Sequence, residues 1–487
     1  MSPDRFPANA GGGPGRPGPT LPSSGPTAPT RRTVLKAAAA GVGALAAGRG
    51  APAFGQICEQ PWPPVEYISQ PVGSLLRPDY LRRNLEAPAD LWPGQRGTAG
   101  TIDVAHDSLF TRNGPGWAGS DTMYTVMLSD GQVVWITNDA IVYASGATPT
   151  SNTSRPFGTL VHNAFALPRR RADGAYDLLA TISRPDRSMT AIAPVSPPPY
   201  RPLVGQDPRD GYARNCRPPQ SVYTWLMHGA ASGDNLYVLA WDFDRATNQF
   251  LGTRITAFTQ RYLLPNGESN RLPGPIGWGS WVGFDLVWGY WFVYGVDLVT
   301  SQPGPRPTYV ARTQDLSRFD AWEFFDGTTW QRNCPGLAHP MVMEGTTSSP
   351  HVSNQFSVVC LGTFHYVYIS QDTWLGRDVW ALASTTPHGP WRNPVKLFST
   401  ASWKPYPATP GTINLWKPFT YNTLAHVDLS VDSAFRRNPA GVLFSYCRNA
   451  WKVGAQDKTL KGWPLLFDPD AYRPYFVRIP WGNFPTP

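Results

Sequence analysis

Short apolar runs joined by turn residues recur along most of the chain. Thr122–Leu128 and Val133–Thr137 flank Ser129-Asp130-Gly131, and an Asp-Gly turn between two such runs predicts a β-hairpin. No helical periodicity longer than about ten residues follows Gly48, so the pattern predicts an all-β protein. The further predicted strands are His162–Leu167, Tyr176–Ile182, Ser221–His228, Asn235–Asp242, Ser280–Leu286, Tyr290–Val296, Thr308–Thr313, Trp322–Phe325, Gln355–Cys360, Tyr366–Ser370, Val379–Thr385, His426–Ser430, Val442–Cys447 and Tyr475–Pro480.

The spacing of these hairpins indicates how they are organised. Antiparallel units that arrive about every 40–70 residues are typical of a β-propeller built from four-stranded blades. We expect a five-bladed β-propeller, with one blade completed by strands from both ends of the domain. Two packed β-sandwiches are the alternative, because a count of hairpins does not separate the two architectures.

The first part of the chain has a different composition. Residues 1–29 are rich in Pro, Gly, Ser and Ala, which predicts a disordered leader. Residues 30–53 resemble a twin-arginine signal peptide, in which Arg31-Arg32 precede the weakly apolar run Ala37–Gly48 and a small-residue cleavage pattern. We therefore expect export to the periplasm, the cell envelope or the exterior. An N-terminal anchor that is never cleaved is the alternative.

The remaining chain divides into a Pro-rich segment at 54–98 and a propeller domain at 99–487. Residues 1–53 contain six of the 42 basic and one of the 34 acidic residues, which leaves 36 basic against 33 acidic residues in 54–487. So small an excess gives no reason to expect a nucleic-acid partner. No later apolar run has membrane-spanning length, and we expect a monomer.

The five cysteines form no Cys-x-x-Cys pair and no His lies at zinc-finger spacing, so a structural zinc site is not expected. Cys360 lies in the apolar run Phe356–Leu361 and is expected to be a buried small hydrophobe. No phosphate-binding loop, Gly-x-Ser-x-Gly elbow or His-Glu-x-x-His motif occurs. Nucleotide, serine esterase and zincin chemistry are therefore not expected.

Two aspartates bracket the first hairpin. Asp121 precedes its first strand and Asp139 follows its second, and antiparallel neighbours lie about 4.8 Å apart. Both carboxyls should therefore lie at the same end of the sheet. Two close carboxyls are the minimum equipment for glycoside hydrolysis, with one protonated and one ionised. Hydrogen bonding to turn backbone is the alternative role for each aspartate.

The same hairpin resembles the first blade of a known family. Gly119-Ser120-Asp121-Thr122-Met123-Tyr124-Thr125-Val126 and Leu128–Asp139 look like Gly-Gly-Asp-Gly-x-Tyr-Ser-Val followed by Leu-x-Asp-Gly-Arg-x-x-Trp-Leu-Phe-Gly-Asp. That signature belongs to bacterial five-bladed propellers long classed as domains of unknown function, which include the actinobacterial-type endo-D-arabinanases. Later segments, such as Trp278-Gly279-Ser280 and Ser353–Val358, follow in the expected order.

The resemblance implies a glycoside hydrolase acting on a furanoside-containing, arabinan-type cell-wall polysaccharide, with Asp121 and Asp139 as the catalytic pair. The residues it implies for substrate binding are His162, Asn163, Trp225, Trp278, Asn354, Gln355, Trp374, His426 and Asp428. For each tryptophan, packing between blades is the alternative role. No cofactor is required by the sequence, although a calcium ion in the propeller channel is compatible with its carboxylates and amides.

The sequence departs from the family pattern in three places near the pair. Gly-Asp-Gly of the signature is Ser120-Asp121-Thr122 here, Asn138 replaces the glycine before the second aspartate, and Gln355 stands where relatives often place Glu. A glutamine cannot ionise, so a non-catalytic propeller that binds carbohydrate or the cell envelope is the alternative function. Asp428 is the residue we expect to substitute for the missing carboxylate if the geometry allows it.

Overall fold

A computed structural model describes residues 66–71, 100–110, 116–143, 159–170, 176–182, 222–244, 246–261, 263, 265–299, 306–343, 353–372, 376–400, 416–431, 437–452 and 472–487. These residues form five antiparallel sheets. The innermost strand of each sheet contacts the innermost strand of the next, and the fifth sheet returns to the first. The predicted all-β five-bladed propeller is confirmed, and the two-sandwich alternative is wrong.

Blade I is the largest sheet. Its strands are β1 (Glu66–Pro71), β3 (Gly116–Gly119), β4 (Thr122–Met127), β5 (Val133–Tyr143), β6 (Thr159–Arg170) and β7 (Tyr176–Ile182). Strand β4 is innermost, and β1 is the outermost because it pairs with β7. The sequence assigned β1 to the Pro-rich segment, so the first blade includes chain from before the predicted domain start at residue 99.

Blades II to IV follow in chain order. Blade II contains β8 (Val222–Ser232), β9 (Asn235–Asp244), β10 (Phe250–Thr259) and β11 (Pro265–Glu268). Blade III contains β12 (Ile276–Asp285), β13 (Tyr290–Asp297), β14 (Thr308–Thr313), β15 (Glu323–Phe325) and β16 (Trp330–Arg332). Blade IV contains β17 (Ser357–Gly362), β18 (His365–Gln371), β19 (Asp378–Ser384) and β20 (Arg392–Ser399). Each blade pairs its strands in sequence order from the channel outward.

Blade V is completed by the two ends of the domain, as the sequence predicts. It contains β21 (Trp416–His426), β22 (Val442–Lys452), β23 (Arg473–Ile479) and β2 (Thr101–Ile102). The only α-helix in the described part of the chain, α1 (Val104–Phe110), follows β2. None of the described helices is long and apolar enough to cross a membrane.

Ion pairs reinforce this closure. The Arg473 guanidinium lies 3.1 Å from the Asp107 carboxylate, and both side chains are almost completely buried. Arg478 makes a second pair with Asp103 at 2.6 Å. Both pairs connect the segment containing β2 and α1 to β23, so they join the start and the end of the propeller domain.

The turn of the first hairpin forms as its sequence predicts. Gly131 has φ +86°, a conformation that costs glycine little because it has no Cβ. The Gln132 N–H donates to Asp130 Oδ1 at 2.9 Å. The Asp-Gly pair therefore provides both the backbone geometry and the local hydrogen bond that the turn needs.

A chain of hydrogen bonds crosses the centre of the propeller between β4 and β21. The Val282 N–H donates to His228 Nδ1 at 2.8 Å, so His228 Nε2 carries the proton and donates to the Thr125 carbonyl at 3.0 Å. Thr125 Oγ1 lies 3.1 Å from His426 Nδ1, and His426 Nε2 lies 2.7 Å from Ser445 Oγ. This chain, the central belt, links blades III, II, I and V.

The strand ends of blade V differ from the prediction. The sequence placed a strand at His426–Ser430, whereas β21 ends at His426 and a 3₁₀ turn, Val427–Leu429, follows. The polar residues Thr420–Thr423 belong to the strand that the apolar pattern failed to identify. His426 therefore lies well inside the channel rather than at the start of the inner strand.

We expect Arg473→Met to lower the free energy of unfolding by about 3–5 kcal/mol, because it leaves the buried Asp107 carboxylate without its partner. Urea denaturation measures the effect. Arg318→Met is the matched control, because Arg318 pairs with Asp315 and Asp320 at the surface and should contribute about 0–1 kcal/mol. Equal losses in the two variants would contradict the structural role of the buried pair.

His228 should make stability depend on pH. Burial lowers the pKa of His228 to about 4, so below about pH 6.5 the unfolded chain binds a proton that the folded chain does not. Folding stability is therefore lost as the pH falls from about 7 to about 4. The loss of unfolding free energy caused by His228→Gln should be largest at pH 7 and should shrink by up to about 3 kcal/mol as the pH falls to about 4.

Denaturant titrations at several pH values measure this difference. His339→Gln is the control variant, because the His339 ring is exposed. A cost of His228→Gln that stays constant from pH 7 to pH 4 would show that His228 is not a buried neutral ring.

Candidate functional site

The inner strand of blade I is interrupted at Ser120 and Asp121. Strands β3 and β4 lie on either side of these residues, and both pair with β5. The Asp121 N–H donates to the Asn138 carbonyl at 3.0 Å, so Asp139 lies opposite the interruption. The structure thus places Asp121 and Asp139 at the same end of the hairpin.

The two carboxyls interact electrostatically. Burial raises the pKa of Asp121, and the charge of Asp139 raises it further. Hydrogen bonds from Tyr421 and Tyr472 oppose this rise, and the pKa of Asp121 is about 8. Because burial and a like charge both disfavour the ionised form, Asp121 holds its proton at neutral pH.

Two tyrosines from blade V hold the pair. The Tyr421 hydroxyl donates to Asp121 Oδ1, and the Tyr472 hydroxyl donates to the Asp139 carbonyl oxygen at 2.6 Å. Burial, followed by the charge of Asp121, raises the pKa of both tyrosines well above the usual value. Both hydroxyls therefore stay protonated and act as hydrogen-bond donors.

The backbone at this site is strained. Asp139, Asn422 and Tyr472 have φ values of +44°, +56° and +60°, in the left-handed region that non-glycine residues rarely adopt. Such strain costs about 1–3 kcal/mol per residue and concentrates at functional sites. Asn422 uses this conformation to donate from Nδ2 to the Asp121 carbonyl and to Thr122 Oγ1, both at 3.1 Å.

Gln355 lies beside the pair but brings no charge to it. Its Nε2 donates to Thr122 Oγ1 at 3.1 Å, and its Oε1 lies 3.3 Å from the same hydroxyl. The neighbouring Asn354 is half-buried, and its Oδ1 has no hydrogen-bond partner among the described residues. The Asn354 Oδ1 atom is itself buried, so it presents no open acceptor to a ligand in this conformation.

Trp278 and His426, both predicted to bind substrate, are buried among other side chains. Trp278 is 2% exposed and packs edge-on against Trp322 and Phe324. His426 is completely buried in the central belt. These side chains have no surface available for a sugar.

Asn163 likewise joins two blades. Its Nδ2 donates to the Thr224 carbonyl at 2.9 Å, and its Oδ1 accepts the Leu226 N–H at 2.8 Å. The side chain is completely buried, so in this structure it presents no surface to a sugar. An amide at this position satisfies one donor and one acceptor of the neighbouring inner strand, β8.

Asp428 lies at the opposite end of the channel from Asp121. It accepts a hydrogen bond from the Met127 N–H, and Met127 is the last residue of β4. Six residues of extended strand separate Asp121 from Met127, which corresponds to about 20 Å. Asp428 therefore cannot replace the carboxylate that Gln355 lacks.

The remaining predicted residues stand as follows. Trp225 is half-buried and packs against Tyr223 and Phe243, so part of its ring stays accessible. His162 lies in β6, the third strand of blade I from the channel. Trp374 lies outside the described residues. Cys360, predicted to be buried, is exposed.

Sequence reasoning missed Tyr421, Asn422 and Tyr472. Tyr421 and Asn422 lie in a polar stretch that does not alternate with apolar residues, so the strand there was not recognised. Tyr472 lies 333 positions from Asp139, and only the closure of blade V brings them together. No group of three or more His, Cys, Asp or Glu side chains within the described ranges is arranged to hold a metal ion.

Three solved structures are similar to this chain to different degrees. A protein from Bacteroides ovatus ATCC 8483, described only provisionally as a hydrolase, has 19% identity and a TM-score of 0.56, over 80% of this chain and 93% of that one. A GH43_1 enzyme from Xanthomonas citri has 11% identity and a TM-score of 0.37, over 81% of this chain and 92% of that one. An endo-1,5-alpha-L-arabinanase from Thermotoga petrophila RKU-1 has 11% identity and a TM-score of 0.27, over 73% of this chain and 82% of that one.

The similarity to the Bacteroides protein shows a shared fold. No curated protein matches the sequence. Residues 103–481 match a family described as a domain of unknown function, DUF5005. This range begins just before α1 and ends just after β23. The chain belongs to the DUF5005 family.

Proposed function

We propose that this protein is a secreted glycoside hydrolase that cleaves a furanoside-containing, arabinan-type polysaccharide of the cell wall. Asp121 and Asp139 are the acid–base pair of this proposal. The observation that carries it is the placement of Asp121 and Asp139 at one end of the first hairpin, where burial and the charge of Asp139 raise the pKa of Asp121 to about 8. Glycoside hydrolysis needs one protonated and one ionised carboxyl on either side of the scissile bond.

The surroundings of the pair support this role. Tyr421 donates to the Asp121 carboxyl and Tyr472 to the Asp139 backbone carbonyl, so one carboxyl and the backbone of the other residue are held in place, and fixed geometry lowers the entropic part of a reaction barrier. Trp225 is half-buried and offers a partly accessible aromatic face. The Bacteroides protein with the same fold is itself described provisionally as a hydrolase.

Export is part of the proposal. The twin-arginine pattern at residues 30–53 would bring the folded propeller to the periplasm or the outside, where cell-wall polysaccharide is accessible. This segment lies outside the described residues. Mass spectrometry of the exported protein would identify the mature N-terminus expected near Phe54.

A non-catalytic carbohydrate-binding propeller is the second candidate. The observation that favours it is Gln355, whose amide reaches Thr122 beside the pair but cannot exchange a proton. This candidate requires saturable glycan binding without release of product. Hydrolysis by the unmodified protein would exclude it.

We expect Asp121→Asn and Asp139→Asn each to reduce turnover by about 10²–10⁴-fold, the usual contribution of an acid or base group. The assay is chromatography of sugars released from arabinan, arabinogalactan and other cell-wall polysaccharides. Asp130→Asn is the matched control, because Asp130 belongs to the same hairpin but is exposed in its turn.

Thermal unfolding of each variant establishes that the loss of turnover is not a loss of folding. Unchanged turnover in either Asp121→Asn or Asp139→Asn would overturn the assignment of the pair. If the unmodified protein releases no sugar from any polysaccharide of the panel but binds one of them, the result would support the carbohydrate-binding propeller.

The raised pKa of Asp121 also predicts a pH-dependent stability effect. Its folded pKa, about 8, exceeds its usual value of 3.8, so the unfolded chain loses this proton first and the folded state is destabilised as the pH rises from about 4 to about 8. Asp121→Asn removes this penalty. The melting temperature of Asp121→Asn relative to the unmodified protein should therefore be higher at pH 8 than at pH 4.5.

Differential scanning calorimetry at the two pH values measures the effect, with Asp130→Asn as control. An equal difference in melting temperature at both pH values would show that Asp121 is not held in its protonated form.

A further inference from the structure

A second cavity opens at the end of the channel opposite Asp121. Its volume is about 350 Å³, within the range of small-molecule sites. It lies beyond the central belt, between the second halves of the inner strands β4, β8, β12 and β17 and the turn that follows β21. None of the residues of the proposed catalytic pair lines it.

The described charged side chains that line this cavity are acidic. Asp285 and Asp428 line it, and no Lys or Arg does among the described residues. His228, the only other group there that could carry a positive charge, is neutral because burial lowers its pKa to about 4. The cavity is therefore negative at neutral pH.

The two carboxylates are in different situations. Asp285 Oδ1 accepts the N–H groups of Val287 and Trp288, at 2.8 and 3.0 Å, and its Oδ2 accepts the Tyr366 hydroxyl at 2.6 Å. Asp428 accepts a hydrogen bond from the Met127 N–H, and burial raises its pKa to about 6. Asp428 is thus a partly buried carboxylate at the cavity, with no Lys or Arg among the described residues that line it.

Aromatic rings form much of the cavity wall. The lining includes Trp281, Phe284, Trp291, Tyr294 and Tyr366. At the outer end, Trp288 donates a hydrogen bond to the Tyr366 hydroxyl and is itself exposed. Aromatic faces attract organic cations, and the attraction strengthens when the cation loses its water.

We propose that this cavity binds an organic cation, an ammonium or guanidinium group, whose charge is matched by Asp428 and whose carbon atoms contact the aromatic wall. A metal ion would not suit it, because metal sites surround the ion with several oxygen, nitrogen or sulfur ligands. A neutral sugar would leave Asp428 without a counter-charge. The site is independent of the proposed hydrolysis, because it lies on the other side of the central belt.

The test compares two probes of equal shape. Choline carries a quaternary ammonium, and 3,3-dimethylbutan-1-ol replaces its nitrogen with carbon. We expect choline to bind saturably and its neutral analogue to bind at least about tenfold more weakly, a difference of about 1.4 kcal/mol. Isothermal titration calorimetry on the full protein measures both affinities.

Asp428→Asn should reduce the affinity for choline by a similar factor, and Asp130→Asn should leave it unchanged. Asp130 is the matched control because it is an exposed aspartate in the β4–β5 turn, next to Met127 and at the same end of the channel. Circular dichroism of the variants establishes that both are folded.

A second measurement needs no substitution. Cys360 lines the cavity and is exposed, so bound cation should slow its alkylation by iodoacetamide, read by mass spectrometry of the peptide that contains it. Choline should protect Cys360 and the neutral analogue should not. Equal affinity for the two probes, or no protection at saturating choline, would overturn the proposal.

The source of the cation is decided by comparing probes. Choline and agmatine represent free small cations, whereas acetyl-Gly-Lys-Gly-amide and acetyl-Gly-Arg-Gly-amide represent the basic side chain of a protein segment. Tighter binding of the first pair assigns the site to a free metabolite, and tighter binding of the second pair assigns it to a protein partner. Failure of all four probes to bind would exclude an organic-cation site.

Discussion

Thr125 holds the centre of the propeller together. Its carbonyl oxygen accepts a hydrogen bond from His228 of blade II, and its hydroxyl hydrogen-bonds with His426 of blade V. Buried polar groups cost free energy unless each finds a partner, so this belt specifies how the surrounding blades must be placed. It also divides the channel. The end at Asp121 holds the carboxyl pair, and the end at Asp428 holds the anionic, aromatic cavity.

Closure of blade V links folding to the candidate site. The ion pair between Asp107 and Arg473 joins residues 366 positions apart, and Tyr472 immediately precedes Arg473. The same contact that closes the ring therefore brings the Tyr472 hydroxyl to the Asp139 carbonyl. Any change that loosens the closure should disturb the pair as well, because both depend on the placement of β23.

The carboxyl pair and its strained backbone lower the stability of the folded state. Asp121 is kept protonated by burial and by Asp139, and Asp139, Asn422 and Tyr472 adopt left-handed backbone conformations. Neither feature stabilises the folded chain, so a packed ring of blades must compensate for both. Such concentrated strain and a perturbed pKa are typical of a site kept for its chemistry. Gln355 adjoins this pair through its hydrogen bond to Thr122 and adds no charge to it.

By itself the sequence determined the blades, because apolar runs and turn residues such as Asp130-Gly131 act over short distances in the chain. It also placed Asp121 and Asp139 at one end of a hairpin, since strand pairing follows from that local pattern. Tertiary structure alone decided the rest. Trp278 packs between aromatic rings, and Asn163 joins two blades. His426 lies in the central belt and Asp428 at the far end of the channel, because β21 begins ten residues earlier than its apolar pattern indicates. Tyr421 and Tyr472 reach the pair only through ring closure, a long-range constraint that no local pattern records.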